Sequence, residues 1–256
     1  GHVAGIPVDR GHRALQNTGY KKSRLRGSLR ELPFLDLGSL AAALTQIVKL
    51  GATDLAAAVS RAEVLVISVG VQSLRSFLRE LAGLDLSGRA LVLCMKGLEA
   101  ETGLRITEIV AQELGPIPCA IWVGPGHVQD FLRGVPNCMV IDSADAALRE
   151  ALVRAFSSDL IRFYYGDDLI GNEIGAAAKN VVGIAAGMLD GYGLTSLKGA
   201  LMARGTREVG RLIGALGGSE RSAYGLAHLG DYEATVFSPY SHNRAFGERF
   251  VRGERY

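Results

Sequence analysis

A single lysine stands within a run of small residues in the second half of the chain. The stretch from Gly175 to Ala178 reads GAAA, and Lys179 and Asn180 follow it directly. Small side chains allow another backbone or a ligand to approach closely, which removes water from the lysine. Loss of water disfavours the charged ammonium unless a carboxylate or another anion lies beside it. Lys179 is therefore predicted to be either a paired cation in the core or a catalytic group that faces a cleft.

The residues around Lys179 belong to an ordered pattern that continues along most of the chain. The run from Gly171 to Gly205 contains a glutamate, small residues, Lys-Asn, a small-residue helix, Asp-Gly-x-Gly, a lysine and Arg-Gly. Further segments fit in the same order, namely Met95-Lys96-Gly97-Leu98-Glu99, Val123-Gly124-Pro125, Gly225-Leu226, Leu229-Gly230-Asp231, Thr235, and Ser241 to Gly247. This pattern resembles the signature of the NAD(P)-dependent glycerol-3-phosphate dehydrogenases, and the resemblance covers nearly the whole chain.

The resemblance implies a reversible hydride transfer between nicotinamide and C2 of dihydroxyacetone phosphate or glycerol 3-phosphate. A carbonyl oxygen that gains charge requires a proton donor and nearby positive charge. By match to the family pattern, Lys179 is the general acid/base, and Lys96 orients the carbonyl or hydroxyl group. Asp231 would hold Lys179 in place, and Thr235, one helical turn further on, would bind a substrate oxygen. The alternatives are a surface position for Lys96 and a helix-capping role for Asp231.

The same resemblance implies a site for the substrate phosphate. The residues expected to bind the substrate are Asn180, His242, Asn243 and Arg244. The family pattern reads Ser-Arg-Asn where this chain reads Ser241-His242-Asn243. Arginine binds phosphate through a planar, permanently charged fork, whereas histidine is only partly charged near neutral pH. Arg244 is too close to His242 in sequence to share its helical face. We therefore expect His242 to alter phosphate affinity and substrate identity.

The resemblance also implies NAD or NADP as the cofactor. The residues at its binding positions are Gln72, Gly124, Pro125 and Val128, and Val128 stands where the family usually has Ala. The family's Pro-Ser before the glutamine is Gly70-Val71 in this chain, its later Glu is Asp130, and its Asn after Asp-Gly-x-Gly is Ser196. These departures together predict weakened dinucleotide binding.

Short apolar runs that alternate with amphipathic segments must position these residues. Runs rich in β-branched residues lie at 62–69, 90–95, 119–123, 137–141 and 161–165, and helical patterns lie at 73–84, 106–114 and 144–156. This alternation predicts an α/β fold with a Rossmann-like parallel sheet. The strand pattern stops after Gly166. We therefore predict a dinucleotide-binding domain over 1–166 and an all-helical substrate domain over 167–256. The resemblance implies that the second domain is of the type found at the C-terminus of 6-phosphogluconate dehydrogenases.

The two ends of the chain depart from the family pattern. Residues 1–10 resemble the family's second strand, and no first strand with a Gly-x-Gly-x-x-Gly loop precedes them. The glycines of that loop let backbone amides approach the pyrophosphate, so its absence also predicts weaker cofactor binding. Tyr256 comes before the helices that complete the family's second domain. The chain is interpreted either as a fragment or as a naturally trimmed relative, with an incomplete first domain and a truncated second one.

Composition and charge exclude several classes of protein. Of 256 residues, 48% are hydrophobic, and a formal net charge of +2 gives no electrostatic footprint for nucleic acid. No apolar run is long enough to span a membrane. Cys94, Cys119 and Cys138 lie in apolar runs without metal-binding spacing, which predicts buried thiols, a reducing compartment and no metal site. We therefore expect a cytoplasmic protein, and the resemblance implies that its small-molecule partner is a phosphorylated three-carbon compound.

Two alternatives to a dehydrogenase remain open at this stage. A degenerate, non-redox relative would use the cleft of Lys179 and Asp231 to bind a ligand or a partner chain. A non-redox enzyme would use Lys179 and Lys96 as acid/base groups. The set of catalytic residues favours the dehydrogenase, and the missing glycine loop favours the alternatives. An incomplete sheet and a shortened helical domain would leave apolar surface exposed, which predicts a homodimer.

Overall fold

A computed structural model describes most of the chain after residue 53 and one strand before it. The described residues are 3–7, for the backbone alone, and 54–126, 131–238 and 241–254, without the side chains of 233 and 234. They divide into two compact units. The first contains the described residues of Gly1–Met95, Glu99–Ile121 and Ser143–Ser158, and the second those of Lys96–Leu98, Trp122–Asp142 and Asp159–Tyr256. The domains predicted over 1–166 and 167–256 stay a prediction.

The first unit is built on parallel strands accompanied by helices. Its strands are β1 (Val3–Pro7), β2 (Val64–Ser68), β3 (Ala90–Leu93) and β4 (Cys119–Val123, whose last two residues belong to the second unit), and its helices are α1 (Leu55–Arg61), α2 (Val71–Leu81), α3 (Ile106–Leu114) and α4 (Ala146–Phe156). β1 pairs with β2, β2 with β3 and β3 with β4, all in parallel. Every residue of β3 is buried, as expected for a parallel strand that is covered on both faces.

Aspartates begin two of these helices. The Asp54 carboxylate accepts a hydrogen bond from the Ala57 amide at 3.0 Å, and Asp145 accepts one from the Ala147 amide at 2.9 Å. Such side chains satisfy amides that have no partner in the first helical turn. Helix α2 begins after Gly70 without a side-chain cap. The Ser73 amide instead bonds to the backbone carbonyl of Gly70 at 2.9 Å.

The second unit contains two parallel strands and a group of helices. β5 (Asn137–Asp142) pairs in parallel with β6 (Ile161–Tyr165). The helices are α5 (Leu169–Gly191), α6 (Lys198–Ala215), α7 (Leu229–Val236) and α8 (His242–Val251), with short 3₁₀ turns at Thr195–Leu197 and Glu220–Tyr224. Two apolar clusters form the core, one of Ile174, Val209, Ile213 and Ala223 and the other of Val182, Ala186, Tyr232 and Val236. Helix α5 contributes to both clusters and is the central element of this unit.

Glycines allow α5 and α8 to approach each other closely. A Cβ atom on Gly187 would overlap the backbone carbonyl of Arg244, and one on Gly247 would overlap the carbonyl of Ile184. No side chain fits at either position without moving a helix. The small-residue composition of α5 therefore determines how closely it packs, as well as the surroundings of Lys179.

The structure confirms the predicted fold class, with parallel strands and covering helices followed by helices alone. The strands predicted at 119–123 and 161–165 and the helix predicted at 106–114 have the predicted bounds. The helix predicted at 73–84 instead spans Val71–Leu81. It ends there because the Ala82 amide closes the last turn on Leu78, and the Gly83 amide bonds to the Glu80 carbonyl. Of the opening segment 1–10, only the backbone of β1 is described.

Candidate active site

Lys179 lies near the middle of α5 and points towards α7. Its side chain is 12% exposed, and its Nζ lies 3.0 Å from Asp231 Oδ2. The same ammonium donates a hydrogen bond to Thr235 Oγ1 at 3.0 Å. Lys179 is therefore a largely buried cation with a carboxylate partner, which is one of the two arrangements that the sequence left open.

Asp231 and Thr235 reach Lys179 from consecutive turns of α7. Both side chains are buried, each with 2% exposure, and Asp231 stands in the first turn of its helix. A carboxylate is stabilised near a helix N-terminus by the dipole and by unpaired amides. A position one turn later places Thr235 on the same helical face. Helix α7 therefore presents an anionic and a neutral acceptor side by side to the ammonium.

Lys96 brings a second ammonium to the same carboxylate. It follows β3 and belongs to the second unit through residues Lys96–Leu98. Its Nζ donates to the Gly124 carbonyl at 2.8 Å and also to Asp231 Oδ2. The surface position that the sequence allowed for Lys96 is not observed, because its side chain is only 20% exposed and its ammonium bonds to both of these groups. One oxygen of Asp231 is thus shared by two lysines.

The electrostatic balance of this cluster depresses the basicity of Lys179. Its pKa falls from the ordinary 10.5 to about 8, mainly because burial removes water from the ammonium and next because Lys96 is close. The negative charge of Asp231 opposes both effects. An amine with such a pKa exchanges its proton readily near neutral pH. The arrangement can therefore donate a proton to, or accept one from, a group placed beside Lys179.

The residues expected to bind the substrate lie on α5 and at the start of α8. Asn243 donates through its side-chain amide to Asn180 Oδ1 at 2.9 Å, and Asn180 directly follows Lys179 in α5. His242 is the first residue of α8 and is exposed, with Ser241 as the helix cap. The structure thus brings Asn180 and Asn243 together and leaves the His242 side chain accessible.

Arg244 is held in a separate group of charges. Its guanidinium bonds to Asp190 at 2.8 Å and to Glu248 at 3.0 Å, and its Nε donates to the Ser238 carbonyl at 3.2 Å. Asp190 also pairs with Lys198 at 2.6 Å, and burial of Asp190 is outweighed by its cationic partners, which lower its pKa. Sequence reasoning did not single out this group. The only signal was the position of Asp190 and Lys198 within the matched pattern.

The residues matched to cofactor binding divide between the two units. Gln72 stands in the first turn of α2, and its side-chain oxygen accepts the Ala100 amide at 2.9 Å. Gly124 has φ of +131°, and a Cβ there would lie 3.1 Å from the Cα of Met139. Only glycine adopts this backbone without strain. Pro125 is buried, and Val128 and Asp130 lie outside the described residues.

His228 is a further residue of this region that sequence reasoning missed. It is fully buried immediately before α7, and its Nδ1 lies 2.7 Å from the Gly175 carbonyl. Its ring packs against Tyr232 with centroids 4.3 Å apart. No pattern in the sequence marks it, because its partner is remote along the chain. Among the described residues, no group of His, Cys, Asp and Glu is arranged to hold a metal ion.

A parallel sheet with covering helices, together with a helical unit, is the architecture of the dinucleotide-binding α/β class. The profile of the NAD-dependent glycerol-3-phosphate dehydrogenase N-terminus matches residues 42–149, and that of the C-terminus matches residues 168–256. The chain belongs to the NAD-dependent glycerol-3-phosphate dehydrogenase family. Within the described residues, no helix is both long enough and apolar enough to cross a membrane.

Individual relatives agree with this assignment. The chain is 43% identical over 206 residues to a glycerol-3-phosphate dehydrogenase [NAD(P)+] of Deinococcus radiodurans, covering 79% of this chain and 60% of the relative. It is 40% identical over 208 residues to that of Chelativorans sp., covering 80% and 63%. A crystal structure of glycerol-3-phosphate dehydrogenase from Coxiella burnetii superposes with a TM-score of 0.74 at 30% identity, covering 78% of this chain and 62% of the other. The chain therefore spans about three fifths of the length of these relatives.

Proposed function

We propose that this chain carries out reversible hydride transfer between NAD(P)H and C2 of dihydroxyacetone phosphate, which gives glycerol 3-phosphate. The observation that carries the proposal is the pair of lysine ammoniums on one buried carboxylate. Lys179 Nζ lies 3.0 Å from Asp231 Oδ2, and Lys96 bonds to the same oxygen. Reduction of a ketone requires a proton for the developing alkoxide and positive charge near it. The two lysines supply both.

Each member of the cluster has a distinct part in this scheme. Lys179 gives its proton to the C2 oxygen during reduction and removes it during oxidation, which suits a pKa of about 8. Lys96 adds positive charge and orients the oxygen. Asp231 and Thr235 accept hydrogen bonds from Lys179 and fix the direction of its ammonium. The pre-set geometry avoids reorganisation during the reaction.

We assign the cofactor named in the relatives to the start of α2. When bound, NAD or NADP supplies or receives the hydride. A Cβ on Gly70 would meet no atom within 4 Å, and α2 begins there without a side-chain cap. A helix N-terminus near the carboxyl end of a parallel strand suits a polar or anionic ligand. By the match to the family pattern alone, Gln72, Gly124, Pro125 and Val128 are also proposed for this cofactor.

The substrate phosphate is assigned to the side chains at the start of α8. Asn180 and Asn243 form one hydrogen-bonded pair, and His242 is exposed beside them in sequence. Arg244 has its guanidinium occupied by Asp190 and Glu248. Phosphate charge would then be met by His242 and the α8 N-terminus, with Arg244 supporting the helix.

The proposal is tested by the loss of NADH on addition of dihydroxyacetone phosphate. The wild-type chain should consume NADH with this substrate and react far less with unphosphorylated dihydroxyacetone. Replacement of Lys179 by methionine should lower kcat by about 10²–10⁴-fold, the usual contribution of a general acid. Arg207→Met removes an exposed charge of α6 and serves as the matched control. Equal activity in both variants would contradict the proposed role of Lys179.

We also propose that the chain forms a homodimer and resides in the cytoplasm. Large apolar side chains of the second unit are exposed, including Val181 at 70%, Tyr192 at 65% and Phe250 at 60%. Exposed apolar side chains of this kind are commonly covered by a second copy. The free thiols of Cys94, Cys119 and Cys138 suit a reducing compartment. A monomer at high concentration in analytical ultracentrifugation would count against the dimer.

A further inference from the structure

His228 joins the two helices that carry the proposed catalytic groups. Its backbone carbonyl accepts the amides of Asp231 and Tyr232, each at 3.0 Å, and so forms the first turn of α7. Its imidazole Nδ1 lies 2.7 Å from the carbonyl of Gly175 in α5. Because a carbonyl can only accept, Nδ1 carries the hydrogen and donates it. One residue therefore connects the turn that bears Asp231 to the neighbouring helix.

The acceptor of this bond lies one helical turn before Lys179. In an α-helix, the carbonyl of Gly175 also receives the backbone amide of Lys179. The imidazole of His228 thus bonds to the peptide group that sets the position of the catalytic lysine. This contact is direct, since a Cβ placed on Gly175 would lie 2.9 Å from the Cβ of His228. Only glycine permits the two helices to come this close.

The bond to Gly175 is the one hydrogen bond that the His228 ring makes among the described residues. Nε2 is buried and has no hydrogen-bond partner among the described residues. An unpaired buried acceptor costs free energy. The bond from Nδ1 to Gly175 must therefore offset the cost of burying Nε2. Burial also lowers the pKa of His228, against the opposing effects of the Gly175 carbonyl and Asp231. The neutral ring is therefore the form that spans α5 and α7.

We propose that His228 is a positioning residue that holds the Lys179 ammonium in register with Asp231 through its hydrogen bond to Gly175. This inference rests on the proposed acid/base role of Lys179. Without the bond, α7 is free to shift relative to α5, and the 3.0 Å separation of Lys179 Nζ from Asp231 Oδ2 lengthens. The Lys179 ammonium then loses part of its electrostatic attraction to the Asp231 carboxylate, while the lysine side chain stays buried.

The consequence for Lys179 has a defined sign. The charged groups that face its ammonium are Asp231 on α7 and Lys96 after β3, with Thr235 as a neutral acceptor. Asp231 favours the charged form, and Lys96 disfavours it. At an effective dielectric constant of about 20, lengthening the pair by about 1 Å lowers the pKa of Lys179 by about one unit. Removal of the His228 bond should therefore make Lys179 a weaker base.

Leucine and asparagine at position 228 test the bond directly, because their side chains have nearly the same branched shape. His228→Asn keeps a donor close to the position of Nδ1, and His228→Leu does not. The pKa of Lys179 is read by NMR titration of isotope-labelled lysine side chains, with its signal assigned by its absence in Lys179→Met. We expect about 8 in the wild type, the same value in the Asn variant and about 7 in the Leu variant.

Equal pKa values of Lys179 in the Leu and Asn variants would overturn the positioning role, even if both variants unfold more easily. A merely structural contact would change stability and leave the titration unmoved. If the Leu variant does not fold, His228→Gln replaces it, because its longer side chain carries the donor past Gly175. A wild-type pKa near 10.5 would instead contradict the proposed role of Lys179. The comparison of the two variants still decides the role of His228 in that case.

Discussion

Replacement of Lys179 by methionine is expected to make the fold more stable while removing the proposed activity. The pKa of Lys179 is about 8 in the folded chain against an ordinary 10.5, with burial as the main cause. Folding therefore disfavours its charged form by the difference of about 2.5 pH units (10.5 minus about 8). At about 1.36 kcal/mol per unit, this amounts to about 3 kcal/mol at pH 7. Methionine fills a similar volume without a charge, so the free energy of unfolding of the variant should rise by most of this amount.

The gain in stability of Lys179→Met over the wild type should decrease as pH rises. Because the folded pKa lies below the unfolded one, the unfolded chain binds more protons between pH about 8 and about 10.5. Wild-type stability therefore rises with pH across that interval. The advantage of Lys179→Met is full below pH 8 and falls to about 1.4 kcal/mol at pH 9.5. It disappears when the lysine is neutral in both states.

Urea unfolding of both proteins at pH 7 and pH 9.5 measures this difference. Arg207→Met is the matched control, because it removes an exposed charge of α6 and should change the free energy of unfolding by no more than about 0.5 kcal/mol. A Lys179→Met variant less stable than the wild type at pH 7 would refute the reasoning. So would a gain of the same size at both pH values, since it could not come from the titration of Lys179.

Further substitutions test the charge cluster and the packing of α5. Asp231→Asn leaves the ammoniums of Lys96 and Lys179 without a carboxylate and should lower the free energy of unfolding by about 3–5 kcal/mol at pH 7. The loss should be smaller at pH 9.5, where Lys179 is neutral. An unchanged urea midpoint would contradict this expectation. Gly187→Ala forces a methyl group onto the backbone of Arg244 and should cost about 1–3 kcal/mol in thermal unfolding. Gly199→Ala is its control, because a Cβ there meets nothing within 4 Å and should be neutral or stabilising by up to about 1 kcal/mol.

Local patterns predicted the elements of the fold because those patterns are short in range. The apolar runs at 119–123 and 161–165 became strands with the predicted bounds. Helix bounds were less accurate where capping was not visible in the pattern. The helix predicted from residue 73 begins at Val71, since Gly70 and not a polar side chain precedes it. The period of the hydrophobic pattern locates a helix or strand, and the hydrogen bonds at its ends decide at which residue it begins and ends.

The residues of the candidate site could be selected from the sequence, but their connections could not. Small neighbours of Lys179 indicated a desolvated lysine, and family order supplied Asp231. Nothing local indicated that Arg244 would be held by Asp190 or that His228 would reach Gly175. These contacts join segments that are remote in the chain, so they depend on how the helices pack. Tertiary hydrogen bonds of this kind have no period and no spacing to reveal them.

The central claim is that the ammonium of Lys179 supplies the proton during hydride transfer, and a pH profile of kcat/KM tests it most directly. Reduction of dihydroxyacetone phosphate should fall as pH rises through about 8, where Lys179 loses its proton, and oxidation of glycerol 3-phosphate should rise through the same pH. The residual activity of Lys179→Met should lack this inflection. An inflection near pH 8 that persists in the methionine variant would contradict the assignment of the proton to Lys179.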